Sequence, residues 1–214
     1  CDANFVTTSV DALDFANQNK TFFIPNPIDP SIDRYRNFNT KKPIDMFIAI
    51  SHGQHRGILK RDFIDDRVKL INKLTNKISY NIFGYKNNPV WGQNYFDELS
   101  KCSMSINLSR GEPIKHYSSD RIASLLGNGL LTFIHEKYEF KDFFNNKQIV
   151  FYKNIKDLNK KIIFYKKNPN ALKKIAENGC RAAHKIFNNK IISDFIVKKS
   201  MGIKINSNLK WINE

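Results

Sequence analysis

Five short runs along the chain are rich in β-branched and aromatic residues: Ile44–Ser51, Ile78–Tyr85, Met104–Ser109, Leu130–Ile134 and Gln148–Tyr152. Most are apolar at successive positions rather than at alternate ones, so each strand is expected to be covered on both faces, as in a parallel sheet between helices. The segments between them have the period of helices. Ile155, Leu158, Ile162 and Ile163 fall on one face at i, i+3, i+7 and i+8. The next helix is predicted to start at Asn168-Pro169, a capping residue ahead of a proline at the first helical position. Its buried side carries Leu172, Ile175, Ala176, Ala183 and Ile186. Strand alternating with helix predicts an α/β fold on a doubly wound, Rossmann-like parallel sheet.

The region ahead of this pattern differs. Asn4–Thr8 reads as a strand, Val10–Asn17 as a short helix and Thr21–Ile24 as a second strand. Pro25-Asn26-Pro27-Ile28-Asp29-Pro30 favours extended backbone and stops a helix, and Ile28 to Lys42 reads as a linker between two sheet domains. The organisation expected is therefore 1–40 as the tail of a preceding domain with its linker, 41–187 as the ligand-binding domain, and 188–214 as a C-terminal helix and tail. The chain opens on Cys1-Asp2 rather than Met, just ahead of a strand, which reads as the edge of a longer sequence. No apolar run approaches the roughly 18 to 20 residues of a membrane span, and nothing at the start reads as a signal peptide.

Composition adds bounds. With 214 residues, 41% hydrophobic and 13% aromatic, the chain can build a sizeable core, and global disorder is excluded. Cys1, Cys102 and Cys180 are odd in number and lack C-x-x-C spacing, which argues against a disulfide framework or zinc site and fits a reducing cytosol. The net charge of +15 would suit nucleic acid, an anionic membrane surface or a phosphorylated ligand. The lysines are spread over helices such as 153–174 in a background rich in Asn, Ile and Phe, a pattern that fits the drift of an AT-rich genome. Charge alone identifies no partner.

In an open parallel sheet, ligands bind beyond the carboxyl ends of the strands. That rule selects five loops: 51–57, 84–91, Ser109 to Glu112, Ile134 to Glu136, and Lys153-Asn154. The first has Gly53 and Gly57 around Arg56, with Lys60 and Arg61 behind them; small residues let backbone approach a phosphate, and the helix that follows presents free N–H groups. The third leads through Lys115 and His116 into Ser119-Asp120-Arg121, the start of a helix ending at Gly127-Asn128-Gly129. The plain structural reading is that Ser119 or Asp120 caps that helix and the glycines end it. His52 and His55 have a metal-like spacing without a carboxylate or Cys to complete it, so no metal site is expected. Trp91 and Tyr95 suit either base stacking or core packing. Asp65-Asp66 reads as a solvated helix face or cap, and Lys166-Lys167 and Lys173-Lys174 as exposed helix faces that could touch anionic lipid.

Val90-Trp91-Gly92 with Tyr95-Phe96, Leu99, Ile106-Asn107-Leu108-Ser109-Arg110, Ser119-Asp120-Arg121-Ile122 and the glycine-ended helix together resemble the spore-maturation-type group of glycosyltransferases, within the two-domain GT-B class. Ile149-Val150-Phe151-Tyr152 and Ile175-Ala176-Glu177-Asn178-Gly179 agree, and the similarity covers roughly residues 20 to 187. The resemblance implies that 41–187 is a nucleotide-sugar-binding domain, the second of two, with a remnant of the first ahead of it. It implies glycosyl transfer from a nucleoside diphosphate sugar, as substrate and without a further cofactor, to a glycan, lipid-linked or protein acceptor of polysaccharide-type biosynthesis in the cytoplasm. Arg56 and Lys60 would neutralise the diphosphate beside Gly53; Arg110 and Arg121 would secure phosphate or sugar; Asn107, Ser109, Ser119 and Asp120 would hydrogen-bond at the strand tip; and Glu112 would accept from hydroxyls. Enzymes of this group commonly carry two glutamates eight positions apart, the second five residues before the helix-ending glycine. Here those positions are His116 and Ser124; Glu112 and Asp120 keep the separation but not the place. Catalytic residues and stereochemistry therefore stay unassigned, with an inactive glycosyltransferase-like binding module as the alternative and a basic nucleic-acid-binding protein as a third reading. The chain by itself is expected to bind donor weakly and transfer no sugar, with an apolar patch near Phe5, Phe15 and Phe22 where the absent N-terminal domain would pack.

Overall fold

The computed structural model describes residues 3–50 and 66–213. Two short strands, β1 (Asn4–Val6) and β2 (Thr21–Phe23), pair in parallel as a separate small sheet. The main sheet has five strands: β3 (Ile44–Ala49), β4 (Tyr80–Phe83), β5 (Cys102–Ile106), β6 (Leu131–His135) and β7 (Val150–Tyr152). All are parallel, in the order β4-β3-β5-β6-β7. The chain leaves β3 for the edge at β4, then crosses back to lay β5 on the other side of β3. The order thus reverses between β3 and β5, where a doubly wound sheet opens its crevice. Helices α1 (Asp66–Ile71), α2 (Gly92–Ser100), α3 (Asp120–Gly127), α4 (Ile155–Lys167), α5 (Pro169–Ile186) and α6 (Asn189–Ser200) complete the molecule.

The strands are buried because their side chains are apolar on both faces. Met46, Ile48, Met104, Ile106, Leu131 and Phe133 pack with Leu158 and Ile162 of α4. Phe47 packs on the other side with Leu99, Leu125 and Leu130. A third cluster joins Ile122 and Leu126 of α3 to Ile134, Phe151, Ala183 and Phe195, and takes in Val10, Phe23 and Ile28 from the N-terminal region. At the amino end of β3, burial raises the Asp45 carboxyl but Lys166 and Ser79 outweigh it, so the group ionises below its ordinary value. Lys166, expected as a plain exposed face, ties α4 to Asp45 at 2.6 Å.

Several expectations need correction. The helix predicted over Val10–Asn17 is only a 3-10 turn, Val10–Ala12, because Val10 is its only buried residue and Phe15 stands 86% exposed. The strands are shorter than their apolar runs. β4 stops at Phe83 because Gly84 takes φ +79°, and a Cβ there would lie 1.6 Å from the Ile50 carbonyl oxygen. One observation adds to the linker reading of 28–42 without revising it: the segment is docked, with Ile28 bridged to Asn188 and the Asn37 amide donating to the carbonyls of Leu99 and Cys102 at 2.8 Å. Of the apolar patch at Phe5, Phe15 and Phe22, only Phe15 is exposed, because Phe195 of α6 covers the other two rings at 6.4 and 6.2 Å.

Candidate functional site

The carboxyl ends of β3 and β5 meet the start of α3 at the reversal of strand order. Arg121, in the first turn of α3, holds them together. Its Nε donates to the Ala49 carbonyl at 3.1 Å and its Nη1 donates to the Leu108 carbonyl. Burial lowers the pKa of this guanidinium, and the nearby positive charge of Arg67 pushes the same way. Arg121 thus spends two of its five donors on backbone and lines the crevice with its charge held in place by the fold.

Two lobes open beside it. One, of about 380 Å³, is lined by Arg67, Arg110 and Arg121 together with Ser109, Ser119, Asp120, Glu112 and Tyr138. The other, of about 340 Å³, is largely aromatic: Phe83, Val90, Trp91, Tyr95 and Phe96 surround it with Ser124, and Asp120 and Arg121 form the wall shared with the first. A smaller annex of about 180 Å³ adds Asn107, His135, Lys137 and Tyr152. Three guanidinium groups and Lys137 thus face the carboxylates of Asp66, Asp120 and Glu112 across one continuous edge. Glu112, with its side chain 89% exposed, pairs with Lys137 at 3.6 Å.

The hydrogen bonding at the α3 start is unusual. Ser119 occupies the capping position, yet its hydroxyl donates to the Asn107 side-chain oxygen at 3.3 Å instead of receiving a helix N–H. Asp120 accepts from the amide of Arg121 at 2.8 Å. Asn107 is 1% exposed and lines the annex, and its amide nitrogen has no hydrogen-bond partner among the described residues. A buried amide without a partner costs on the order of 1–3 kcal/mol, a penalty that a ligand oxygen would remove.

Asn107, Ser109, Arg110, Glu112, Ser119, Asp120 and Arg121 therefore share one edge. Gly53, Arg56 and Lys60, with His52, His55 and Asp65, lie outside the described residues. The sequence reading missed Arg67: it follows two aspartates in a helix start and looks like a solvated position, but it is 4% exposed and lines two of the cavities. Trp91 and Tyr95 both line the aromatic lobe but differ in packing. Tyr95 packs edge-on against Phe47 at 5.1 Å, whereas Trp91 is 66% exposed at the rim of the aromatic lobe. His116 is fully buried against Phe23 and Phe143, with Nε2 2.9 Å from Asp142, and contributes nothing to the crevice. Ser124 does line it. Among the described residues no cluster of His, Cys, Asp and Glu has the makings of a metal site.

Comparison with known proteins adds three findings. A family model described as glycosyl transferase-like matches residues 64–195. None of the curated proteins compared matches the chain. Among solved structures, a glycosyltransferase from Rickettsia africae ESF-5 is similar over 90% of this chain and 59% of its own, at 16% identity and TM-score 0.58. A TarM variant from S. aureus, solved with fondaparinux, α-GlcNAc-glycerol and UDP, matches over 93% of this chain and 44% of its own, at 13% identity and TM-score 0.64. HepE from Anabaena, in complex with UDP, matches over 95% and 64%, at 10% identity and TM-score 0.63. The chain spans between 44% and 64% of the length of these three, and the likeness is one of fold.

Proposed function

The chain belongs to the glycosyl transferase-like family, and on that premise we propose that its strand-tip crevice binds a nucleoside diphosphate sugar for transfer to a glycan, lipid-linked or protein acceptor. The observation that carries the reading is the convergence of Arg67, Arg110 and Arg121 on one cavity at the reversal of strand order. Fixed cations in a partly dry cavity stabilise a dianionic group far better than solvated ones. The diphosphate lies against these arginines, and base and ribose enter the aromatic lobe, where Trp91 offers an exposed ring and Ser124 a hydroxyl. Transfer breaks the bond from the anomeric carbon to the diphosphate oxygen and forms one to an acceptor oxygen; the arginines hold the charge that the departing diphosphate gains. The UDP found with TarM and HepE, which share this fold, supports a nucleotide donor.

A charge-assisted hydrogen bond contributes roughly 1.5–3 kcal/mol, so Arg110→Ala should weaken nucleoside diphosphate binding about 10- to 150-fold. The free nucleoside should bind as before. Calorimetry in which both ligands lose affinity equally, or neither does, would place the diphosphate elsewhere. A thermal-shift screen with UDP-, GDP-, ADP- and CMP-linked sugars identifies the base.

A second reading has its own support. His116 is sealed in the core and Ser124 bears no carboxylate, so the two positions where the resemblance leads one to look for glutamates present none to the crevice. On that reading the protein is a nucleotide-sugar-binding module without transfer. Donor binding with no release of nucleoside diphosphate in the presence of acceptors would favour it.

A further inference from the structure

The three lobes of the crevice have an order. The aromatic lobe and the arginine lobe share Asp120 and Arg121, and the arginine lobe and the annex share Arg67, Leu108, Ser109, Glu112 and Tyr138. The aromatic lobe and the annex share no residue, so the arginine lobe lies between them. A nucleoside diphosphate sugar is built in the same order, with its diphosphate between nucleoside and sugar. The annex, of about 180 Å³, has its own chemistry. The loop after β6 brings His135 into it, half-buried and edge-on to the Tyr152 ring at 5.1 Å. The His135 Nδ1 accepts from the Lys137 amide at 3.2 Å. A ring nitrogen that accepts carries no proton, which leaves Nε2–H as the donor. Asn107 lines the same annex and holds the buried amide nitrogen that has no partner among the described residues. Asp66 and Glu112, also in the lining, supply carboxylate acceptors.

Resting on the donor-crevice reading, we propose that the annex holds the sugar of the donor and that His135 Nε2 and the Asn107 amide select it by donating to its hydroxyls. A hydroxyl both donates and accepts, so a sugar ring matches a lining that mixes two such donors with two carboxylates. The aromatic lobe, walled by Phe83, Trp91, Tyr95 and Phe96, offers a flat base the larger apolar surface. A sugar oxygen seated in the annex supplies the partner that the Asn107 amide lacks. The two donors also stand at a fixed spacing. Asn107 directly follows β5, and its backbone amide donates to the Phe133 carbonyl of β6 at 2.9 Å, while His135 ends β6. Adjacent, hydrogen-bonded strands therefore carry both groups, and a site built on strands holds its geometry better than one on loops.

Calorimetry of the 214-residue chain with UDP and UDP-glucose, GDP and GDP-mannose, and ADP and ADP-glucose tests the proposal, the comparison being made on the pair that binds best. His135→Ala should weaken the sugar nucleotide about 2- to 10-fold, the value of one neutral hydrogen bond, and leave the free diphosphate nucleotide as it was. His135→Gln, whose side-chain N–H can stand in for Nε2–H, should bind both nearly as the parent does. Trp91→Ala, in the lobe assigned to the base, should weaken the two ligands equally. Circular dichroism verifies that each variant folds. Equal losses for both ligands in His135→Ala would place His135 on the diphosphate or in the fold, and overturn the idea. So would no loss for either ligand in His135→Ala; with the Trp91→Ala loss still present, the crevice would remain the donor site and only the annex would fall. A Trp91→Ala loss confined to the sugar nucleotide would turn the donor end for end and overturn it as well. Binding of none of the six ligands would remove the crevice reading and this inference with it.

Discussion

Asp33 is 5% exposed, with Oδ1 accepting from the Asn128 side chain at 2.9 Å and Oδ2 from the Asp29 amide at 3.1 Å. Burial outweighs these bonds and raises its pKa from 3.8 to about 6. The folded state thus holds this proton more tightly than the unfolded chain does. Its contribution to stability is complete below pH 3.8 and is lost as pH rises through 6. Two pKa units correspond to roughly 3 kcal/mol. Asp33→Asn removes the titration, so relative to the parent it should gain on the order of 2–3 kcal/mol between pH 4 and pH 8. Urea unfolding at several pH values reads the difference directly, and parallel curves would show that Asp33 does not titrate in this window. Nothing local marks Asp33: in sequence it is one charge among Asp29, Arg34 and Arg36, and only the approach of α3 through Asn128 buries it. Arg121 teaches the same lesson with opposite sign, since its two carbonyl partners lie 72 and 13 positions away.

Helix α5 shows how an element can obey its sequence signals in position and depart from them in contact. It starts at Pro169 as predicted, but Asn168 does not cap it; the Asn168 amide donates back to the Phe164 carbonyl at 2.7 Å and closes α4. Gly179 sits in the middle of α5, where a glycine costs about 1 kcal/mol relative to alanine. It is tolerated because a Cβ there would lie 2.3 Å from the Gln148 carbonyl oxygen, two residues ahead of β7. Gly179→Ala must push the helix off the sheet. Overpacking of this kind costs roughly 1–3 kcal/mol or more, which should exceed the helical gain and lower the melting temperature. Lys174→Ala, on the exposed face of the same helix, should be near neutral. A more stable Gly179→Ala protein would mean that α5 lies further from β7 than described.

At the scale of the molecule, the small β1–β2 sheet and the main sheet share one core cluster. Phe23 and Val10 pack into the same cluster as Ile122, Ile134 and Phe151, and α6 with the tail closes over it. Trp211 is 1% exposed, packs on Phe195 at 5.2 Å and donates its indole N–H to the Ile186 carbonyl at 2.8 Å. Trp211→Ala should therefore destabilise the whole chain by about 3–5 kcal/mol. Unfolding should remain a single transition, with near- and far-ultraviolet circular dichroism coincident. Two separated transitions in the variant would show that the N-terminal strands form an independent unit.

The order of strands and helices and the parallel sheet were legible in the sequence, which also singled out the strand-tip loops as the place to expect chemistry. They follow from the spacing of apolar residues over windows shorter than one element, from prolines and glycines at element ends, and from a general rule about where open sheets bind. Three features of the site and core were not legible: the pairing of Arg67 with Arg110 and Arg121, the use of Arg121 on the Ala49 and Leu108 carbonyls, and the covering of Phe5 and Phe22 by Phe195. Each joins residues from separate elements, and a side chain's partners there depend on strand order and helix approach. Local periodicity states that a residue will be buried or exposed, but the packing of distant elements decides against what.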